Sequence, residues 1–255
     1  MFAHVIETAT PSLIALLTGS LVIAGLIKGV IGVGMPIVAF PMLSMLVDIQ
    51  TAVMLLSMPL VLSNIPQALE GGLVAQTLLS LAPVLVGMIP GVWIGVAVLL
   101  NVDPAVAKMA AGASVILVAA LTLLAPKLQI KRPMIGPVGL GAGFCGGLLG
   151  GIAALAGPPV LIFLLAKGLS GRAFTKEASM FLVASSALLA SALTSSRQFD
   201  WRDVLISTLA TVPVVAGMLV GQKVRDAVPA DAFKTLVVLV VLLSGAQLVW
   251  KGMFA

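Results

Sequence analysis

One stretch occurs twice in this chain and decides its fold. The first copy runs Gly25-Leu-Ile-Lys-Gly-Val-Ile-Gly-Val-Gly-Met-Pro-Ile-Val-Ala-Phe-Pro41, and the second runs Gly146-Gly-Leu-Leu-Gly-Gly-Ile-Ala-Ala-Leu-Ala-Gly-Pro-Pro-Val-Leu161. Each copy is a glycine-rich apolar segment that ends in Gly-x-Pro and continues into a short apolar segment. Glycine lets the backbone leave helical geometry, while proline removes a donor and favours the first turn of a new helix. We therefore predict one broken helix in each half of the chain.

The amino-acid composition indicates that these breaks lie within a membrane-embedded protein. Hydrophobic residues make up 60% of the 255 residues and charged residues only 9%, against roughly 25% charged in soluble domains. Many apolar runs approach the ~20 residues that cross ~30 Å of hydrocarbon. The sequence predicts an all-α, polytopic membrane protein, a helical bundle whose breaks are buried in protein or line a cavity. The net charge of +5 does not indicate nucleic-acid binding, because the basic residues lie in short loops.

The apolar segments form two series of five, labelled A to E and A′ to E′. The first series lies in an N-terminal repeat, residues 1–126, and occupies about 12–33, 36–47, 51–68, 76–100 and 105–125. A basic linker, 127–133, precedes a C-terminal repeat, 134–255, with segments at about 135–156, 158–166, 174–194, 204–222 and 232–250. Segments B and B′ are too short to span a bilayer at 1.5 Å per residue. Whether they cross with a neighbour or re-enter stays open.

The two series correspond residue by residue in places. Gly34 and Pro36 match Gly157 and Pro159, and segments D and D′ share a Pro-xxx-Gly-xxx-Gly pattern. This indicates an internal duplication, which is the usual construction of secondary transporters. The small residues recur every four positions on one helical face. They predict close helix packing, or alternatively a surface on which one half slides against the other.

The basic residues indicate that the two repeats are inverted. If A and B together make an even number of crossings, each half makes an odd number, and the halves face opposite ways. One side of the membrane then receives nine of the fourteen basic residues. By the positive-inside rule that side is cytoplasmic, and both termini lie outside. The nine are Lys127, Lys131, Arg132, Lys167, Arg172, Lys176, Lys223, Arg225 and Lys234.

Polar side chains in segments C and C′ are candidates for a binding cavity. Asn64 and Gln67 are costly to bury and need partners. The matched serines of the two segments, Ser57 with Ser185 and Ser63 with Ser191, favour a polar cavity shared between the halves. A serine in a membrane helix can instead bond its own i−4 carbonyl.

Lys28 is the only basic residue well inside an apolar segment, six residues before Gly34. It could attract an anion, or its ammonium could snorkel to the membrane boundary. The second half has no equivalent lysine. We therefore predict that helix ends and neutral donors carry anion binding, with Lys28→Gln costing less affinity than Asn64→Leu or Ser185→Ala. No carboxylate lies deep in an apolar segment, and the acidic residues Asp200 and Asp203 are expected to be solvated.

Motifs for enzymatic chemistry are absent from the sequence. There is no phosphate-binding G-x-x-x-x-G-K-[ST] loop, no H-E-x-x-H or G-x-S-x-G motif, and no Cys/His cluster with metal-ligand spacing. We predict no enzymatic activity, no catalytic residue, no metal and no cofactor.

These elements together resemble the TauE/SafE sulfite-exporter family, also described as toluene-sulfonate uptake permeases. The resemblance rests on the glycine-rich opening that ends in Gly-x-Pro, the Ser/Thr-bearing third segment and the P-x-x-x-G-x-x-x-G helix, all repeated in the second half. It extends from about Ser12 to Trp250 and includes the Asp200-Trp201 pair before D′. The family often has three glycines at the break, where this chain has Gly34-Met-Pro and Gly157-Pro-Pro.

The resemblance implies a secondary transporter of small sulfur-containing anions, such as sulfite, sulfoacetate or other organosulfonates, in the bacterial inner membrane. A passive anion channel and a transporter of another small organic anion stay open, as do a homo-oligomer and a coupling ion, H⁺ or Na⁺. The expected partners are the anionic substrate and the lipid bilayer. The candidate substrate-binding residues are Gly32, Gly34, Met35, Pro36, Ser57, Asn64, Gln67, Gly157, Pro158, Pro159, Ser185, Ser186 and Lys28.

Overall fold

The fold is a bundle of α-helices. A computed structural model describes residues 10–32, 34–124, 129–196, 199–224, 246–247, 249–250 and 252–254, and these contain no strand. The helices are α1 (Pro11–Ile31), α2 (Met35–Leu46), α3 (Ile49–Leu69), α4 (Val74–Asn101), α5 (Pro104–Leu124), α6 (Ile135–Ala153), α7 (Gly157–Ala166), α8 (Gly171–Ser195), α9 (Trp201–Leu209) and α10 (Thr211–Val224), with a 3₁₀ turn at Arg132–Met134.

The length and composition of these helices confirm the predicted class. Within the described ranges, six helical spans are long and apolar enough to cross a membrane. Segments A to E appear as α1 to α5, and A′ to C′ as α6 to α8. Segment D′ differs, because it is divided into α9 and α10 at Ala210. Pro213, near the start of α10, provides no N–H for the Leu209 carbonyl, which weakens the ladder at that point. Most of segment E′ lies outside the described residues.

Side-chain caps set the ends of three helices. The hydroxyl of Thr10 accepts a hydrogen bond from the Leu13 N–H at the start of α1, and Asp48 caps α3. Asp200 and Asp203 form a reciprocal capping box at the start of α9. The prediction that Asp203 is solvated was wrong, because its side chain is only 1% exposed. Capping requires that carboxylate to turn back onto the backbone of its own helix.

Two helix pairs join the halves through glycine faces. Helix α1 packs on α10, and α4 packs on α6. A Cβ atom on Gly25 or Gly217 would lie within 3.0 Å of backbone atoms of the partner helix. The same holds for Gly91 in α4 and Gly147 in α6. Close backbone approach supplies the van der Waals contact that holds helices together in lipid. The packing prediction for the stripes of D and D′ is thus confirmed, and the sliding alternative stays a prediction.

The residue pairs that meet between two helices show whether the helices run in the same or in opposite directions. Lys28 meets Asn64 and Gly32 meets Gln67, so α1 and α3 run in the same direction. The intervening α2, which packs against α1, must therefore turn the chain back. Gly25 faces Val214 and Gly29 faces Met218, so α1 and α10 are also parallel.

The central helices of the two halves pack in the opposite sense. Gln67 in α3 meets Ser179 in α8, and Gly72, just beyond α3, accepts a hydrogen bond from Lys176. Residue numbers rise along one helix as they fall along the other. The equivalent helices α3 and α8 are thus antiparallel.

Candidate functional site

The first break joins α1 to α2 through two residues in left-handed conformation. Gly32 has φ +89° and Gly34 has φ +95°, a region that residues with a Cβ adopt at a cost. Helix α2 begins at Met35, with Pro36 in its first turn, and both side chains are buried. The break predicted in the first half is confirmed, at the residues that the Gly-x-Pro pattern indicated.

Lys28, one turn before this break, points into the protein. Its side chain is 2% exposed, and its Nζ donates hydrogen bonds to Ser63 Oγ at 3.0 Å and Asn64 Oδ1 at 2.6 Å. The snorkelling alternative is therefore wrong. Both partners are neutral, and no carboxylate of a described residue forms an ion pair with this ammonium. A buried charge without a counter-charge has a desolvation cost of several kcal/mol.

Asn64, which is buried, and Gln67, which is half-buried, both have hydrogen-bond partners. The Asn64 amide nitrogen donates to the Leu60 carbonyl of its own helix at 2.7 Å, which leaves the oxygen to accept from Lys28. Gln67 donates to the Gly32 carbonyl at 3.3 Å and accepts from Ser179 Oγ at 3.2 Å. One side chain thus ties the first break to the central helix of the second half. Ser179 was not among the predicted residues, because its role depends on contact between distant segments.

The second break is built differently. Helix α6 ends at Ala153, and Ala154 has the left-handed conformation, φ +57°. Gly157 opens α7 without a positive φ, and Pro158 and Pro159 follow it in the first turn. Residues 153–156 are all buried, whereas Gly32 and Gly34 at the first break are partly exposed. The predicted second break is confirmed, but glycine supplies its hinge only in the first half.

Ser185 and Ser186 lie on α8, which packs against α6 and α7, the helices on either side of this second break. They are 2% and 4% exposed, and neither hydroxyl has a hydrogen bond to another described residue. Ser185 Oγ lies 3.4 Å from the place where a Cβ on Gly150 would be, in the last turn of α6. Their predicted role in substrate binding stays a prediction.

Ser57 belongs to a separate polar contact. Its hydroxyl donates to the Met54 carbonyl and lies 3.3 Å from Ser207 Oγ on α9. Ser207 is completely buried and also donates to the Leu55 carbonyl, which lacks an N–H donor because residue 59 is proline. Ser207 was not among the predicted residues. Its spacing of four residues from both Asp203 and Thr211 was the available signal.

The structure brings together part of the predicted site. Lys28, Gly32, Asn64 and Gln67 form one connected cluster at the first break, which we call the Lys28 cluster, completed by Ser63. The short helices α2 and α7 have no extensive contact with each other, and α3 and α8 cross in the interior. The prediction of a cavity shared by matched serines is wrong for Ser191, which is exposed and bonds the Leu188 carbonyl of its own helix.

One ion pair occurs in the described part of the chain, away from the Lys28 cluster. Lys167 Nζ, at the end of α7, lies 3.2 Å from Glu177 Oε2 on α8. Ser80 on α4 accepts from Lys167 at 2.6 Å and donates to Glu177 at 2.9 Å. Ser80 belongs to the first half and both charged residues to the second, so these contacts join the two halves near the ends of three helices.

Six apolar spans and two interior helix breaks, one beside a buried ammonium, define a multi-pass helical membrane protein with a polar interior site. The chain belongs to the sulfite exporter TauE/SafE family, whose family model matches residues 17–248. The family is one of transporters, and the match confirms the resemblance over nearly the whole chain. Comparison with curated proteins and with solved structures gave no match.

Proposed function

We propose that this protein is a secondary transporter of small sulfur-containing anions, such as sulfite, sulfoacetate or another organosulfonate. The observation that carries the proposal is the environment of Lys28. The ammonium is buried at a helix break, and both of its hydrogen-bond partners are neutral. A small anion would supply the missing counter-charge, and intramembrane ionisable residues commonly mark a substrate pathway.

The first break offers further recognition elements for an anion. Helix α2 starts there, and the N-terminus of a helix presents free N–H groups and the positive end of its dipole. The Gln67 side chain, on α3, donates a hydrogen bond to the Gly32 carbonyl in the loop between α1 and α2. The partial exposure of Gly32 and Gly34 would let a ligand reach these donors. We place the anion among Lys28, Asn64, Gln67 and the start of α2, where Met35 and Pro36 shape the wall.

Helix directions support an inverted repeat. Helices α1 and α3 are parallel, so the first two helices of a half return the chain to its starting side. Three further crossings by C, D and E would then place the second half upside down. The antiparallel pairing of α3 with α8 fits that arrangement, because equivalent helices of inverted repeats run in opposite directions. Alternating access would follow from one half moving against the other.

The same layout carries our proposal for orientation. The linker 127–133 would lie in the cytoplasm and both termini outside, in a bacterial inner membrane. Lys167, Lys176 and Arg132 would then share the cytoplasmic side, as the positive-inside rule requires. The duplicated repeats would occupy 1–126 and 134–255.

A ligand screen tests the substrate class directly. Purified protein is heated in the presence of sulfite, sulfate, sulfoacetate, taurine and small carboxylates. A ligand at 100 times its dissociation constant should raise the free energy of unfolding by roughly 2.7 kcal/mol. We expect a sulfur oxyanion or sulfonate to stabilise and the carboxylates to have little effect. Stabilisation by carboxylates alone would reject the proposed substrate class.

Counterflow separates a carrier from a passive channel. Proteoliposomes loaded with unlabelled ligand are diluted into labelled ligand of the same kind. A carrier accumulates label transiently because it exchanges one anion for another, whereas a channel only equilibrates the gradient. The Lys28→Gln protein is the comparison sample, and label accumulation that persists in it would remove Lys28 from the site.

A further inference from the structure

The second break has the features of a cation site. It occupies the position equivalent to the first break, but this half has glycine at 150 and 151 where the first half has Lys28. The break is buried and has no ionic side chain among residues 146–161. Ser185 and Ser186 on α8 are buried residues whose hydroxyls have no hydrogen bond to another described residue, and Ser185 Oγ lies 3.4 Å from the place of a Cβ on Gly150. A hydroxyl of a buried residue that has no hydrogen-bond partner in the protein is available to a ligand.

Helix ends at the second break favour a cation over an anion. Beyond the end of α6, the N–H groups of Ala154 and Leu155 donate to the Gly150 and Leu149 carbonyls. The last carbonyls of a helix have no donor within that helix, and no N–H of a described residue outside the helices donates to the carbonyls of residues 151–153. On the other side of the break, Pro158 and Pro159 remove two of the four N–H donors that a helix N-terminus normally offers. The second break is thus rich in acceptors and poor in donors.

The oxygen ligands available at the second break indicate which type of cation could bind there. Hydroxyl and carbonyl oxygens are neutral hard ligands, whereas sites for Ca²⁺ or Mg²⁺ normally include carboxylates. Within the described part of the chain, no group of three or more acidic, histidine or cysteine side chains could hold a metal ion. Unwound backbone carbonyls at the C-terminal ends of half-helices coordinate Na⁺ in transporters with broken helices.

We propose that the second break binds a small monovalent cation, with Na⁺ as the probe, through the hydroxyls of Ser185 and Ser186 and the terminal carbonyls of α6. A bound cation there would take the place that the fixed ammonium of Lys28 has at the first break. A role of this cation as the coupling ion for anion transport rests on the proposed transport function. Binding of the cation does not depend on that function and can be measured without any substrate anion.

The test measures the thermal unfolding midpoint of the purified full chain in increasing NaCl. Choline chloride replaces NaCl at constant ionic strength, and no sulfur-containing anion is present. We expect the midpoint to rise saturably with Na⁺. Ser185→Ala should raise the half-saturating Na⁺ concentration by about tenfold or more, because a lost ligand to a charged group is worth that much. A midpoint that is the same in NaCl and choline chloride would overturn the proposal.

Matched variants distinguish a loss of Na⁺ binding from a general loss of stability. Ser191→Ala, on the same helix, removes an exposed hydroxyl that bonds its own helix and should keep the normal Na⁺ response. Ser185→Thr retains a hydroxyl and should respond, whereas Ser185→Val has the same shape without it and should not. If Ser185→Val keeps the Na⁺ response but loses stabilisation by sulfite, the hydroxyls bind the anion and the proposal is wrong.

Discussion

The Nζ atom of Lys28 lies 2.6 Å from the Oδ1 atom of Asn64, and this contact joins the first helix to the third beside the helix break. The contact couples the charge of Lys28 to the amide of Asn64. The effects of the two residues on anion binding are therefore not independent, and the two single variants and the double variant should be measured as a double-mutant cycle.

Replacing Lys28 should abolish most of the affinity for the anion. Removing one partner of a buried charge pair costs about 2–5 kcal/mol, so Lys28→Gln should bind at least about thirtyfold more weakly. Isothermal titration with the best ligand from the screen measures this. Lys223→Gln, which removes an exposed lysine from α10, is the control. The sequence alone favoured a larger effect of the neutral donors, and Asn64→Leu binding more weakly than Lys28→Gln would restore that order.

Asn64→Asp should inhibit the protein without unfolding it. The new carboxylate would lie within hydrogen-bond distance of the Lys28 ammonium and take the place of the anion as counter-charge. We expect transport in proteoliposomes to fall by about tenfold or more. The ligand-free protein should stay folded, because the new ion pair with Lys28 offsets the loss of the donor to the Leu60 carbonyl. Asn101→Asp, at the exposed end of α4, should transport normally. Undiminished transport by Asn64→Asp would show that the ammonium does not meet the substrate.

The two breaks should differ in their tolerance of alanine. Gly34 has φ +95°, so Gly34→Ala should destabilise the protein by roughly 1–2 kcal/mol. Gly157→Ala should be nearly neutral, because its φ is not positive and an added Cβ would have only ordinary contacts, the nearest at 3.6 Å. Thermal unfolding of both variants measures the difference. Leucine at either position should abolish transport while membrane insertion persists, and full activity of both leucine variants would show that the breaks do not form the transport site.

The glycine faces should tolerate no added methyl group. A Cβ on Gly217 would overlap the Val22 carbonyl oxygen of α1, and the two helices would have to separate. Gly217→Ala should therefore cost about 1–3 kcal/mol of unfolding free energy, as other overpacked interiors do. Gly19→Ala is the control, because nothing lies within 4 Å of its added Cβ and alanine favours the helix. Equal midpoints for the two variants would contradict the close approach of α1 and α10.

Cysteine labelling tests the proposed orientation. Single cysteines replace Lys131 in the linker and His4 near the N-terminus, in a protein whose exposed native Cys145 has been changed to alanine. A membrane-impermeant reagent applied to intact cells should label position 4, and position 131 only after the membrane is opened. Labelling of both positions from one side would contradict the inverted repeat.

The membrane class, the two breaks and most helix boundaries could be predicted from the sequence alone. These features depend on composition and on residues within a few positions of each other. Gly-x-Pro at 34–36, for example, favours a break, because the backbone preferences of glycine and proline are local. The prediction of an internal duplication rests on a similarly direct signal, since matched residues repeat along the chain.

The contacts of the polar and small residues could not be predicted from the sequence and depend on how the helices pack. Lys28 and Asn64 are 36 positions apart, and no periodicity within one helix could pair them or choose between a buried and a snorkelling ammonium. The contact between Ser57 and Ser207 likewise joins distant segments and could not be predicted from either helix. Ser191 matches Ser63 in sequence, but its side chain is exposed. Helix partners are selected where two backbones can approach closely, and that depends on both surfaces at once. One helix sequence contains only half of that information.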